Sequence, residues 1–174
     1  MRPGPESAAE PRRIAVALGS NVGDRAGNLT FAATRLRAVL DDVIVSPYVE
    51  TEPEGGADQA PYLNAAAVGR SAVGPRELLQ SFLAIEREAG RERPFPRAPR
   101  TLDIDLILAG DLVVLRPDLE VPHPRFRHRR FVLEPLAAVG PDLVDPVSGR
   151  TVRELLADLD AMARVNRPPE PGTG

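Results

Sequence analysis

Two strand-like runs in this chain, TLDIDLILAG at 101–110, read as strictly alternating, and the LVVL that follows it, are joined by only a Gly110-Asp111 turn. A link that short suits a hairpin and leaves no room for the crossover that parallel strands need. The rest of the pattern mixes strands with helices. IAVALG at 14–19 is a short buried-strand run closed by Gly-Ser-Asn, and Asp24 is placed to cap a helix running to about Leu40, with Leu29, Ala33, Leu36 and Leu40 on one face. VIVSPYVET at 43–51 reads as a strand with Pro47 at an edge or bulge, and YLNAAAVGR at 62–70 as another. Pro75 opens a helix through Ala89, striped by Leu78, Leu79, Phe82 and Ile85, and Gly90 ends it. PHPRFRHRRFVLEPLAAV holds one or two short helices, and VRELLADL at 152–159 a final one. The combination predicts an α+β fold, a mainly antiparallel sheet with flanking helices; a doubly wound parallel sheet ranks second.

With 174 residues the chain supports one domain, predicted over 12–166. Residues 1–11 and 167–174, rich in Pro, Gly and Glu, are expected to be disordered tails. The opening residues lack a signal-peptide apolar run and no later stretch is long enough to span a bilayer, so the expectation is a cytoplasmic protein without a membrane partner. The absence of cysteine removes disulfides, zinc knuckles and thiol nucleophiles. A net charge of −3 argues against nucleic acid as a partner. The expected oligomeric state is a monomer.

Every basic residue other than the two histidines is arginine. The lysine-bearing phosphate loop is therefore impossible, and any phosphate must be held by guanidinium forks, backbone amides or metal ions. Arginines also cluster, at 87, 91, 93, 97 and 100 and again at 125, 127, 129 and 130. Local positive charge in an acidic chain suits a small polyanion.

Asp103-Ile104-Asp105 is the sharpest chemical signal. On a strand, side chains two apart share a face with Cα atoms roughly 6.5 Å apart, while Leu102, Ile104 and Leu106 would point the other way into the core. Paired carboxylates repel unless a cation lies between them, and Mg²⁺ on nucleotide phosphates is commonly held by one or two carboxylates plus water. A solvated strand edge, or pairing with Arg100, fits the triplet equally well. Just upstream, GRERPFPRAPR punctuates Arg91, Arg93, Arg97 and Arg100 with Gly and Pro; it reads as a lid over a triphosphate or as a charge run balanced by Glu86, Glu88 and Glu92. His123, flanked by prolines, is held for a phosphate hydrogen bond or plays a structural part. Tyr62 and Phe131 read first as core, and Asn64, on the same strand face as Tyr62, as an amide able to read a heterocycle edge.

GSNVGDR (19–25), TEPEGGADQAPYLNAA (51–66), LLQSFLAIEREAGRER (78–93), APRTLDIDLIL (98–108) and VPHPRFRHRRFVLEPL (121–136) together resemble, in order, the 6-hydroxymethyl-7,8-dihydropterin pyrophosphokinases. The resemblance covers roughly residues 13–160. It implies a ferredoxin-like α+β sandwich and transfer of pyrophosphate from ATP to the hydroxymethyl group of a dihydropterin in folate synthesis, giving AMP. By resemblance, Asp103 and Asp105 match the residues that hold two Mg²⁺ ions, and Asp103 also reaches the pterin hydroxyl. Arg91 and Arg93 match catalytic arginines of a mobile loop, and both count among the ATP contacts with Glu86, Arg100, His123 and Arg129. Thr51, the backbone around Glu54, Tyr62, Asn64 and Phe131 match the pterin pocket, with Tyr62 and Phe131 sandwiching the ring. Arg97 stands nearest to a lid tryptophan of some members, and Asp118 replaces a nucleotide-contacting arginine of others. The rivals are a ferredoxin-like ligand- or RNA-binding domain without catalysis and a nucleotidyltransferase that releases pyrophosphate.

Overall fold

Strand β1 (Arg12–Ser20) is the middle of the molecule, because small and branched residues alternate along it and bury both of its faces. The computed structural model describes residues 10–53, 60–90 and 101–166. Helix α1 (Arg25–Leu36) follows, started by Asp24, whose side chain accepts the Gly27 amide at 2.9 Å. β2 (Asp41–Val45) and β3 (Val49–Thr51) are two halves of one interrupted outer strand, both pairing with β4 (Tyr62–Ser71). Pro47 sits in the break, as the sequence suggested, and Ser46 bridges it: its amide donates to Ala66 O at 2.8 Å and its Oγ accepts from Ala66 N at 2.9 Å. Helix α2 (Pro75–Glu88) and strand β5 (Asp103–Ala109) complete the sheet.

The strand order is β2-β4-β1-β5 with every pair antiparallel. Counting β2 and β3 as one strand, the chain runs β-α-β-β-α-β, the ferredoxin-like arrangement. The parallel alternative is excluded. α1 and α2 cover one face, over a core that includes Val16, Leu18, Leu29, Leu36, Leu78, Phe82, Leu102, Ile104 and Leu106. Beyond β5 the chain forms a small hairpin, β6 (Val114–Arg116) with β7 (Leu119–Val121), then a 3-10 turn at Phe126–His128, helix α3 (Arg130–Val139) and helix α4 (Val152–Val165). The helices α3 and α4 cover the other face, over Ala15, Ala66, Ile107, Leu108, Phe126, Leu133 and Leu136.

Two local readings are corrected. LVVL does not turn back onto β5; Val114–Arg116 pairs forward with β7, with the turn at Pro117-Asp118. The alternation in TLDIDLILAG also fails midway: Ala15 pairs with Leu108 but Val16 with Leu106, so Ile107 is an extra residue, a bulge. Ile107 and Leu108 consequently both enter the α3–α4 core. An unbroken apolar run gives no periodic signal of such a slip, because both faces of the sheet are buried.

Candidate active site

Register, more than any single residue, builds the site. Gly19 lies opposite Asp103 on one side and opposite Asn64 on the other, and Val49 lies beyond Asn64. One row across the sheet thus reads Asp103, Gly19, Asn64, with side chains on the α3–α4 face. The next row reads Asp105, Ala17, Ala66. Gly19 and Ala17 make a low floor, with Ala66 already under the α3–α4 core, and the carboxylates stand on one flank of it. A Cβ on Gly19 would lie 3.3 Å from Asn64 Oδ1 and 3.8 Å from Tyr62 Cδ1, so the glycine keeps the space between Asp103 and Asn64 clear.

On the opposite flank Thr51 pairs with Tyr62 across β3 and β4. Asn64 Nδ2 donates to Thr51 Oγ1 at 2.7 Å, which orients the amide. Asn64 is only 5% exposed, so this bond avoids burying an unsatisfied donor. From above comes the start of α3, whose Phe131 is partly buried against the α3–α4 core and lies under the Arg129 guanidinium, 5.4 Å from the ring centroid.

The extra residue of β5 has a further effect. Ile107 O accepts from His123 N at 3.0 Å, which docks the VPHP loop along β5. His123 Nδ1 in turn accepts from Arg125 N at 3.2 Å, leaving Nε2 as the protonated nitrogen and a donor. Burial first, then the charges of Arg129 and Arg125, hold the ring below the ordinary imidazole value, with Asp103 opposing. The ring is therefore neutral near pH 7 and lies within the fields of an arginine pair and a carboxylate. The 3-10 turn between them is anchored from behind. Asp145, fully buried, accepts from Arg127 Nε at 2.5 Å and Nη2 at 2.8 Å, and from Ser148 Oγ at 2.6 Å.

Glu86, only 2% exposed, accepts from Ile104 N at 2.8 Å through Oε1. The bond crosses from α2 to the outer strand β5 and fixes the peptide lying between Asp103 and Asp105. Among the described residues no three His, Asp or Glu side chains converge as a metal cage. Two carboxylates on one face beside an open floor suit Mg²⁺, a hard cation that keeps water and takes phosphate oxygens as its remaining ligands.

The structure therefore gathers Asp103, Asp105, Asn64, Thr51, Tyr62, Phe131, His123 and Arg129 toward one end of one sheet face, with Glu86 behind β5. Glu54, Arg91, Arg93, Arg97 and Arg100 lie outside the described residues. The sequence marks Gly19 only as the close of the first strand run and as part of GSNVGDR; its place in the site follows from register.

A ferredoxin-like sheet with small residues flooring a polar cleft, paired carboxylates on one side and an oriented amide and aromatics on the other, defines an α+β enzyme that handles small molecules. More narrowly, the chain belongs to the family described as 7,8-dihydro-6-hydroxymethylpterin-pyrophosphokinase (HPPK), whose model matches residues 15–141. It is 40% identical over 150 residues to the 2-amino-4-hydroxy-6-hydroxymethyldihydropteridine pyrophosphokinase of Synechocystis sp., covering 85% of this chain and 76% of that one. It is 42% identical over 126 residues to the protein of the same name from Bacillus subtilis, covering 71% of this chain and 75% of that one. The fold is also that of a Plasmodium falciparum HPPK-DHPS structure with pteroate, at TM-score 0.69 and 17% identity over 90% of this chain. The match spans 44% of that longer chain.

Proposed function

We propose that this chain transfers the pyrophosphoryl group of ATP to the hydroxymethyl group of 6-hydroxymethyl-7,8-dihydropterin, producing AMP and the pterin diphosphate for folate synthesis. The observation that carries the reading is the single row Asp103–Gly19–Asn64, in a chain of this family. It sets a metal-binding flank and a heterocycle-reading flank one glycine apart.

In this reading the pterin lies on the Gly19 floor, between Tyr62 and Phe131, with Asn64 at its edge and Thr51 closing that side; Glu54 is assigned its backbone contact to the pterin by family resemblance. Asp103 and Asp105 would hold Mg²⁺, two ions, and Asp103 would also reach the hydroxyl. The metal, when bound, neutralises phosphate charge and acidifies the hydroxyl. The hydroxyl oxygen attacks the β-phosphorus in line; the bond from that phosphorus to the α–β bridging oxygen breaks, AMP leaves with that oxygen, and the hydroxyl proton passes to solvent. His123 donates from Nε2 to a phosphate oxygen, and Arg129 and Arg100 bind phosphate by charge. Glu86 holds β5 against the nucleotide side. Arg91 and Arg93 neutralise the transferred group, so the chain's work is positioning and charge stabilisation. The protein acts as a cytoplasmic monomer.

The test is product analysis with ATP, Mg²⁺ and the reduced pterin alcohol. AMP is the expected product; pyrophosphate would instead indicate nucleotidyl transfer, and no turnover a binding module.

A further inference from the structure

The GSNVGDR segment ends in an arginine for which the reaction has no use. Arg25 is the first residue of α1, and a cation there opposes the helix dipole by about 0.3–1 kcal/mol. Its side chain is nonetheless fixed by two partners at once. Nη1 donates to Pro61 O at 2.6 Å and Nη2 to Glu50 Oε2 at 2.9 Å. Those partners belong to different segments of the site's outer wall. Glu50 lies in β3, and Pro61 immediately precedes Tyr62 at the start of β4.

The alternation of side chains decides what Arg25 can do. Thr51, Tyr62 and Asn64 point to the cleft face, whereas Glu50 pairs with Leu63, and Leu63 packs against the α1–α2 core on the reverse face. Arg25 therefore grips the wall from behind and is kept from the cleft by the sheet itself. We propose that Arg25 is a positioning residue for the heterocycle flank, a fork that ties β3 to the first peptide of β4 and so sets Thr51, Tyr62 and Asn64 in register. The inference rests on the reading that the pterin binds at that flank. Among the described residues three residue pairs and the Asn64–Thr51 side-chain bond join β3 to β4, so a charge-assisted fork beside them adds substantially to what holds the two together. A second bond from the same helix, between Thr30 Oγ1 and Tyr48 Oη at 3.0 Å, fixes the chain just before β3, so α1 holds this strand at two points.

The experiment is calorimetric binding of 6-hydroxymethyl-7,8-dihydropterin and of a non-hydrolysable ATP analogue with Mg²⁺, each with and without the other, to the whole protein and to Arg25→Ala, Arg25→Lys, Glu50→Gln and Tyr62→Ala. Arg25→Ala is expected to weaken pterin binding about tenfold. ATP-analogue affinity should stay within about twofold and the melting temperature should change little, since the fork lies at the surface. Arg25→Lys, which keeps one donor, should recover part of the loss, and Glu50→Gln should show a smaller one. Full pterin affinity in Arg25→Ala, beside a loss in Tyr62→Ala, would overturn the positioning role and leave the pocket reading intact. Equal loss of both ligands with a large fall in melting temperature would also overturn it, as a plain folding defect. Full pterin affinity in Tyr62→Ala would remove the pocket reading and this inference with it.

Discussion

Asp103 and Asp105 occupy the start of β5, where the strand's period of two sets both carboxylates on the cleft face while Leu102, Ile104 and Leu106 anchor the other. Their backbone is held independently of any ligand, by pairing with Gly19 and Ala17 and by the Glu86–Ile104 bond. Replacing either aspartate by asparagine keeps the shape and removes a ligand charge. The expected result is a loss of turnover of about a hundredfold or more, with an almost unchanged melting curve, because the backbone pairing that holds the strand does not involve the carboxylate charge. Steady-state AMP release beside thermal melts checks both halves. Near-normal activity in both variants would end the metal assignment.

Among the elements, the 3-10 turn and the start of α3 depend on a contact far along the chain. Arg127 reaches 18 residues ahead to Asp145, whose loop also supplies Ser148 and the Val147 amide. Burial raises the Asp145 carboxyl, but the Arg127, Ser148 and Val147 hydrogen bonds outweigh it and hold the group at about 2. The sign follows from linkage. The folded value lies below the unfolded one, so this group's contribution is complete above about pH 4 and is lost as the pH falls toward 2. A shift of that size corresponds to roughly 2–3 kcal/mol at neutral pH. Asp145→Asn should therefore cost about that much in urea unfolding at pH 7, and the gap to the unsubstituted protein should close near pH 2. A constant gap across that range would mean that the carboxylate charge is irrelevant. Because the turn carries Arg125 and Arg129 toward His123, the same variant should also raise the KM for ATP.

For the molecule as a whole, the two cores divide the labour. The α1–α2 face carries a continuous apolar core, and the α3–α4 face gives way at one end to the cleft. Stability and activity should therefore separate. Leu36, wholly buried in the first core, is remote from the cleft face; Leu36→Ala should cost about 2–5 kcal/mol in chemical denaturation. Turnover at a temperature well below the new melting point should stay near that of the unsubstituted protein. A matching loss of turnover would show that the cleft depends on this core's packing.

Much of this was legible in the residues. Asp24 as a cap, Pro75 as a helix start, Pro47 as the break in an outer strand and the paired aspartates are each decided by a residue's own dihedral limits or by a short period, which neighbours in sequence suffice to reveal. The bulge at Ile107, the forward pairing of LVVL, the seating of His123 on the bulge carbonyl and the Arg25 fork were not legible. Each depends on which residue lies opposite which across separate strands. The row Asp103–Gly19–Asn64 joins positions 84 and 45 residues apart from Gly19. Local propensity carries no information about such register; only the simultaneous burial of both sheet faces fixes it, since a slip of one residue would carry the aspartates into a core and the leucines to the cleft.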